Sequence, residues 1–303
     1  MRSGARTRLG GMAERPKATV LKTVEAVPPS PWVQIPLPPR RHEDRIGHVV
    51  SIRAMTTRRR DDKTTRRQDD ATTTRWEKRV SEAPAGPTLT ESTRIGVLGG
   101  TGDQGRGLAR RFAMSGLPVT IGSRDADRAR GIAAELGHGI DGASNAECAT
   151  AADIVIAAVP WDGHAALLES LRAELVGKVL VDCVNPLGFD KQGAFVLDVP
   201  EGSAAQQAAQ ILPESTVIGA FHNVSAQLLL DENLASVETD VLVLGDDRSA
   251  TDLIQELVNR IPGMRGIYGG RLRNAAQVEA LTANLISINR RYKAHAGIRI
   301  TDV

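Results

Sequence analysis

The stretch Gly99-Gly-Thr-Gly-Asp-Gln-Gly105 constrains this chain more than any other. It directly follows an apolar run, Ile95–Leu98, and precedes a segment with Leu108, Ala109, Phe112 and Ala113 at helical spacing. Gly116 ends that segment, and Leu117–Gly122 reads as the next strand. Gly100-x-Gly102-x-x-Gly105 therefore sits inside one βαβ unit. Its glycines there have separate jobs: a tight turn, close backbone approach to a pyrophosphate, and close helix–strand packing. The helix N-terminus behind them offers unpaired N–H groups to an anion. Taken alone, the spacing also fits an unliganded glycine turn. Between a strand and a helix it predicts dinucleotide binding.

The end of the second strand discriminates between nucleotides. An NAD binder places Asp or Glu there for the ribose 2′-hydroxyl. Here Ser123-Arg124 occupies the position, with Arg128 one helical turn further on. A hydroxyl and two guanidinium groups suit a 2′-phosphate. The plainer reading is a solvated basic helix start beside Asp125 and Asp127. NADP(H) is expected over NAD(H).

Further apolar runs follow at Ala152–Val159, Lys178–Val184, Thr216–Phe221 and Asp240–Asp247. Such continuous runs suit parallel strands covered on both faces. Helices are expected at about His164–Leu175 and from Gly202-Ser203 to Leu212. The fold class is α/β: a Rossmann-type, doubly wound parallel sheet over residues 94–247. Three strand ends would deliver Pro160-Trp161, Asn185-Pro186 and His222 to one edge, where such sheets open their ligand crevice. Residues 248–303 read as a small C-terminal region: a short segment at Met264–Tyr268, then a long helix from about Asn274 to His295. Val278, Leu281, Leu285, Ile286 and Ile288 make that helix too apolar to stand alone. It is expected to pack on the nucleotide domain or on a second subunit, as in a homodimer. Arg290, Arg291 and Lys293 are either a solvated face or a reach toward an anionic substrate tail.

Residues 1–93 differ in character. They carry 19 Lys/Arg against 11 Asp/Glu, whereas the remainder carries 19 against 25. They also hold nine of the 15 prolines and lack sustained apolar periodicity, so disorder is expected. A basic nucleic-acid arm is disfavoured, because aspartates interrupt the Arg clusters and only Trp32 and Trp76 could stack on bases. No nucleic-acid partner is expected. Residues 11–26 and 32–36 permit back-translation into boxes like those of a transfer-RNA gene. The segment is therefore expected to be read through from an upstream start, with Met55 or Val80 as the true one. Different codons at Val33-Gln34-Ile35 in the locus would refute this.

Cys148 and Cys183 are too few for a disulfide framework or a zinc site, and no metal is expected. No run approaches the ~20 apolar residues of a membrane span, and the first twenty residues lack a secretory apolar region. A cytoplasmic protein without a membrane partner is expected.

Five separated motifs appear in order: Gly99–Gly105, Ile121-Gly-Ser-Arg124, Val159-Pro-Trp161, Ala220-Phe-His-Asn-Val-Ser-Ala226 and Leu244-Gly-Asp-Asp247. Together they resemble the NADPH-dependent reductases of the deazaflavin coenzyme F-420. The ending Tyr292–Thr301 resembles their actinobacterial branch. The resemblance covers about residues 94–303. It implies reversible hydride transfer between NADP(H) and 8-hydroxy-5-deazaflavin. It further implies that Thr101, Gly102, Asp103 and Gln104 hold the pyrophosphate, within the turn bounded by Gly100 and Gly105. Ser123, Arg124 and Arg128 would hold the 2′-phosphate, and Val159, Trp161, Asn185 and Ala226 would border the nicotinamide. Pro160, Trp161 and His222 would face the deazaflavin. Such chemistry needs no triad, carboxylate pair or metal, because the two cofactors carry the reactivity. His222 is the one catalytic candidate, as a hydrogen-bond partner of the deazaflavin. Competing readings are a pyrroline-5-carboxylate-reductase-like imine reductase, a metalloreductase-like NADPH electron-transfer module and a non-catalytic NADP sensor. The first would want a longer C-terminal helical domain, the second a membrane span or partner.

Overall fold

The computed structural model describes residues 88–303. The expectations of disorder, read-through and a later start for residues 1–87 lie outside the described residues.

The chain alternates strands and helices from its phosphate turn onward. Strand β1 (Ile95–Leu98) leads into α1 (Asp103–Met114), then β2 (Val119–Ser123), α2 (Ala126–Leu136), β3 (Asp141–Ser144) and α3 (Asn145–Ala151). Strand β4 (Ile154–Ala157) leads through a 3₁₀ turn, Trp161–Gly163, into α4 (His164–Ser170). Strand β5 (Val179–Asp182) is followed by a hairpin of β6 (Leu187–Asp190) and β7 (Gly193–Val196), then α5 (Ala204–Ile211). Last come β8 (Thr216–Gly219), α6 (Ala226–Leu230), β9 (Thr239–Leu244), α7 (Arg248–Asn259), β10 (Met264–Gly270) and α8 (Ala275–Tyr292).

The sheet runs β10-β9-β8-β5-β4-β1-β2-β3. Strands β8, β5, β4, β1, β2 and β3 are parallel throughout. Strand β9 meets β8 at a single antiparallel bridge, Gly219 opposite Leu244, and β10 adds to β9 in parallel. The parallel Rossmann-type core is as expected. The segment around Met264–Tyr268 is an edge strand of this same sheet.

Alternation explains why the strand sequences are nearly unbroken runs of apolar residues. Ile95, Val97, Ile154 and Ile156 enter a core shared with Leu108, Phe112, Ile254 and Leu257 of α1 and α7. Leu98, Val155, Ala157 and Leu180 point the other way, to Leu168, Ala205 and Ala208 of α4 and α5. Side chains of period two thus feed both faces. Leu89 is buried with the first cluster, so packing begins before Arg94.

Helix α8 packs on the nucleotide-binding body of its own chain. Its first residue, Ala275, is buried in the second core cluster. One turn on, the Glu279 carboxylate caps α5, accepting from the N–H groups of Ala204 at 2.9 Å and Ala205 at 3.2 Å. Burial pushes the Glu279 carboxyl up to about 7. Helix α1 is tied to α6 as firmly. The buried Arg111 guanidinium donates to the carbonyls of Leu228, Leu229, Asp231 and Leu234 at 2.7–2.9 Å. Leu228 and Leu229 are in the last turn of α6, where helix carbonyls lack partners within the helix. A Cβ at Gly107 would come within 2.5 Å of Leu229 Cβ, so the two helices meet at a glycine.

Candidate functional site

The turn after β1 is built by glycines with different constraints. Gly99 has φ +68, in the left-handed region, and a Cβ there would come within 2.5 Å of Val159 Cγ1. The turn is thereby pressed against the loop after β4. A Cβ at Gly100 would meet Ile121 at 2.5 Å, and one at Gly105 would meet Gly100 Cα at 2.7 Å. Those two positions permit close helix–strand packing. At Gly102 the nearest atom would be Gly99 O at 3.5 Å, so its outer side is open. Gly102 is also the N-cap of α1, and no side chain caps that helix. Its opening N–H groups, beside Thr101, Asp103 and Gln104, are therefore free for an anion, which is what a pyrophosphate requires. Gln104 Nε2 additionally donates to Phe221 O at 3.4 Å, linking this turn to the loop after β8.

At the end of β2, Ser123 is buried and its Oγ accepts from Asp125 N–H at 3.2 Å. Asp125 is occupied as the N-cap of α2, accepting from Asp127 and Arg128 N–H. Arg124 and Arg128 are exposed. Among the described residues their guanidinium groups make no ion pair. One residue missed in sequence lies against the end of β2. Asn145 Oδ1 is buried without a partner, 2.8 Å from where a Gly122 Cβ would stand. Its signal was the capping box of Ser144 and Glu147 that opens α3.

The opposite end is assembled by the loops after β4, β5 and β8. Pro160 is exposed and caps the 3₁₀ turn that begins at the half-buried Trp161. Asn185 Nδ2 donates to His222 O at 2.9 Å, so two of the expected residues touch. Thr282 Oγ1, from α8, donates to the same carbonyl at 3.0 Å. Asn223 Nδ2 donates to Val278 O at 3.0 Å and to Thr282 Oγ1 at 2.8 Å, fixing the loop to that helix. Phe221 holds the left-handed region at φ 62, unusual for a bulky residue and a mark of functional loops. Its ring meets Phe112 edge-on at 5.9 Å. Ala226 is half-buried at the start of α6. Thr282 escaped the sequence reading because nothing in a helix pattern says which polar residue meets a distant loop.

Burial pushes the His222 imidazole down to about 4, although Asp182 and the Val184 main chain pull the other way. Neither of its ring nitrogens has a well-formed hydrogen bond, and neither has Asn185 Oδ1. Buried polar atoms are almost always paired, so the unpaired Asn185 Oδ1 is a candidate contact for a polar ligand. The residues present fit a nucleotide at the β1–β2 end and polar rings at the β4–β5–β8 end. Along this edge the strand order is β8, β5, β4, β1, β2. It carries His222, Asn185, Trp161, the glycine turn and Ser123 in that sequence. At about 4.8 Å between strands, they line one edge of the sheet.

Known proteins are similar to this chain in sequence and fold. The profile of the family described as "NADP oxidoreductase coenzyme F420-dependent" matches residues 94–186. The F420-dependent NADP reductase of Methanothermobacter thermautotrophicus is 41% identical over 222 residues, covering 69% of this chain and 95% of that protein. That of Methanocaldococcus jannaschii is 36% identical over 226 residues, covering 69% and 99%. Among solved structures, a candidate F420-dependent NADP reductase from Arthrobacter sp. FB24 has a TM-score of 0.62 at 27% identity, covering 69% of this chain and all of that one. With relatives 36% and 41% identical matched almost end to end, the chain belongs to the family of F420-dependent NADP reductases.

Proposed function

We propose that the chain is an oxidoreductase that passes a hydride between NADP(H) and the deazaflavin coenzyme F-420 across the Trp161–Asn185–His222 end of the crevice. The observation that supports this reading is the strand order, which puts His222, Asn185, Trp161, the glycine turn and Ser123 at the ends of adjacent strands. When bound, the two ring systems supply the hydride donor and acceptor. The chain supplies alignment. Thr101, Gly102, Asp103 and Gln104 anchor the pyrophosphate, with Gly100 and Gly105 shaping the turn. Ser123, Arg124 and Arg128 select the 2′-phosphate. Val159, Trp161, Asn185 and Ala226 border the nicotinamide, with the orphaned Asn185 Oδ1 free to accept a carboxamide N–H. Pro160, Trp161 and His222 form the deazaflavin wall. At neutral pH the buried His222 is uncharged. It serves as a hydrogen-bond partner rather than as an acid.

The test offers the purified chain NADPH with either the deazaflavin or a cyclic imine. Bleaching of the deazaflavin absorbance with NADPH oxidation supports the reading. Turnover of the imine alone overturns it.

A cytoplasmic setting and a homodimer belong to the same proposal. Cys148 and Cys183 are buried free thiols, in keeping with a reducing compartment. No helix among the described residues is long and apolar enough to cross a membrane. Phe189, Phe195 and Val196 on the β6–β7 hairpin and Leu281, Ile288 and Tyr292 on α8 are exposed apolar groups. A second copy of the chain would cover them. Light scattering at twice the chain mass supports the dimer; a monomer at micromolar concentration overturns it.

A further inference from the structure

The ring-end roles leave one buried polar cluster unused. Behind Trp161, the fully buried His164 opens α4. Its Nε2 lies 2.6 Å from Asp182 Oδ2, and its Nδ1 lies 3.1 Å from Gln207 Oε1. Gln207 Nε2 donates onward to Glu201 Oε2 at 3.2 Å. The other Asp182 oxygen accepts the Val184 N–H at 3.0 Å, next to Asn185. One carboxylate thus grips the loop after β5 directly and the loop after β4 through His164.

Contacts at both nitrogens fix the plane of the His164 ring. The Trp161 indole stacks on that plane, with centroids 5.6 Å apart and 28° between the rings. A half-buried indole at a loop start would otherwise be free to change rotamer. Burial opposes charge on His164, but Asp182, Gln207 and Glu279 outweigh it and raise its pKa above the ordinary value. A fold alone has little use for such a pair, because well-packed apolar residues stabilise an interior as well or better.

We propose that His164 and Asp182 are a positioning pair, which holds the Trp161 indole in the crevice wall and locks it to the Asn185 loop. The proposal rests on the reading of Trp161 as part of the ring site. Neither residue touches the reacting atoms. They act through Trp161 on ring alignment, where small displacements are costly in rate.

A double-mutant cycle on the full chain tests this, read by single-turnover hydride transfer and by the KM for NADPH. His164→Gln retains a donor for Asp182 but removes the stacking ring. It is expected to slow transfer about 10-fold or more while KM moves less than about threefold. In a Trp161→Ala background the same change is expected to cost less than about twofold. An equal cost in both backgrounds, or an unchanged rate in the single variant, overturns the proposal. A Trp161→Ala enzyme with an unchanged rate instead overturns the ring-site reading of Trp161, whatever His164 does. Should His164→Gln fail to fold, the apolar pair His164→Leu with Asp182→Leu removes the stacking ring and its anchor without leaving a buried charge. That chain is expected to melt like the parent yet transfer hydride about 10-fold more slowly. Parental speed in it overturns the proposal.

Discussion

At the level of single residues, Arg124 and Arg128 are the proposed source of the cofactor preference. Both are exposed, Arg124 just after β2 and Arg128 in the first turn of α2, and among the described residues neither is engaged in an ion pair. Replacing both by Ala is expected to raise the KM for NADPH far more than that for NADH. Charge-assisted contacts of roughly 1.5–3 kcal/mol make one arginine worth about 10- to 100-fold. Equal effects on the two nucleotides would refute the clamp. His222 carries a different expectation. Its depressed pKa of about 4 leaves it neutral through the working range, so it has no proton to give as an imidazolium. His222→Ala should lower the hydride-transfer rate by at most about 10²-fold, the lower end for a positioned group. Complete inactivity of a folded variant would make it catalytic. These residues were legible in the sequence because each sits a fixed step beyond a recognisable strand. His164 and Asp182 were not. They are 18 residues apart, one at a helix start and the other inside an apolar strand, and only the packing of α4 on β5 joins them.

Elements were legible where periodicity was long and unbroken. The β1–α1–β2 unit, β4, β5, β8, β9 and α8 lie within a few residues of where the apolar runs put them. The expected helix His164–Leu175 ends as an α-helix at Ser170 and continues as turns. Strand β3 was hidden because Asp-Gly-Ala-Ser has no apolar alternation; pairing with β2 makes it a strand. The β6–β7 hairpin was hidden for lack of a common turn signature. Its turn is made by Asp190 Oδ1, which accepts from Gln192 and Gly193 N–H, with Gly193 at φ 129. Helix α8 adds a pH dependence through Glu279. Its carboxyl rises from an ordinary 4.5 to about 7 on folding. Between those values the folded chain holds a proton that the unfolded chain has released, so stability falls as pH rises and levels off above about 7. His164 acts in the same sense: its contribution is present below its ordinary value and is lost as pH rises through its raised one. Glu279→Gln should remove on the order of 2–3 kcal/mol of the loss between pH 5 and pH 8. Melting temperatures at those two pH values in both proteins provide the check, and parallel slopes would contradict it.

Across the whole molecule, residues 88–303 carry a sheet with apolar clusters on both faces and the edge that holds the candidate site. Deleting residues 1–79 is therefore expected to leave melting temperature and turnover unchanged. Loss of soluble protein or of activity would show that the segment contributes. Direct hydride transfer needs two aligned rings, and the loops after β4, β5 and β8 are proposed to align them. The decisive measurement is a single turnover with NADPH deuterated at the transferable position of its nicotinamide, followed by mass analysis of the reduced deazaflavin. Direct transfer predicts one deuterium on the deazaflavin, with a slowed absorbance decay, in ordinary water. Reduced deazaflavin without deuterium, or NADPH bound without any bleaching, would contradict it.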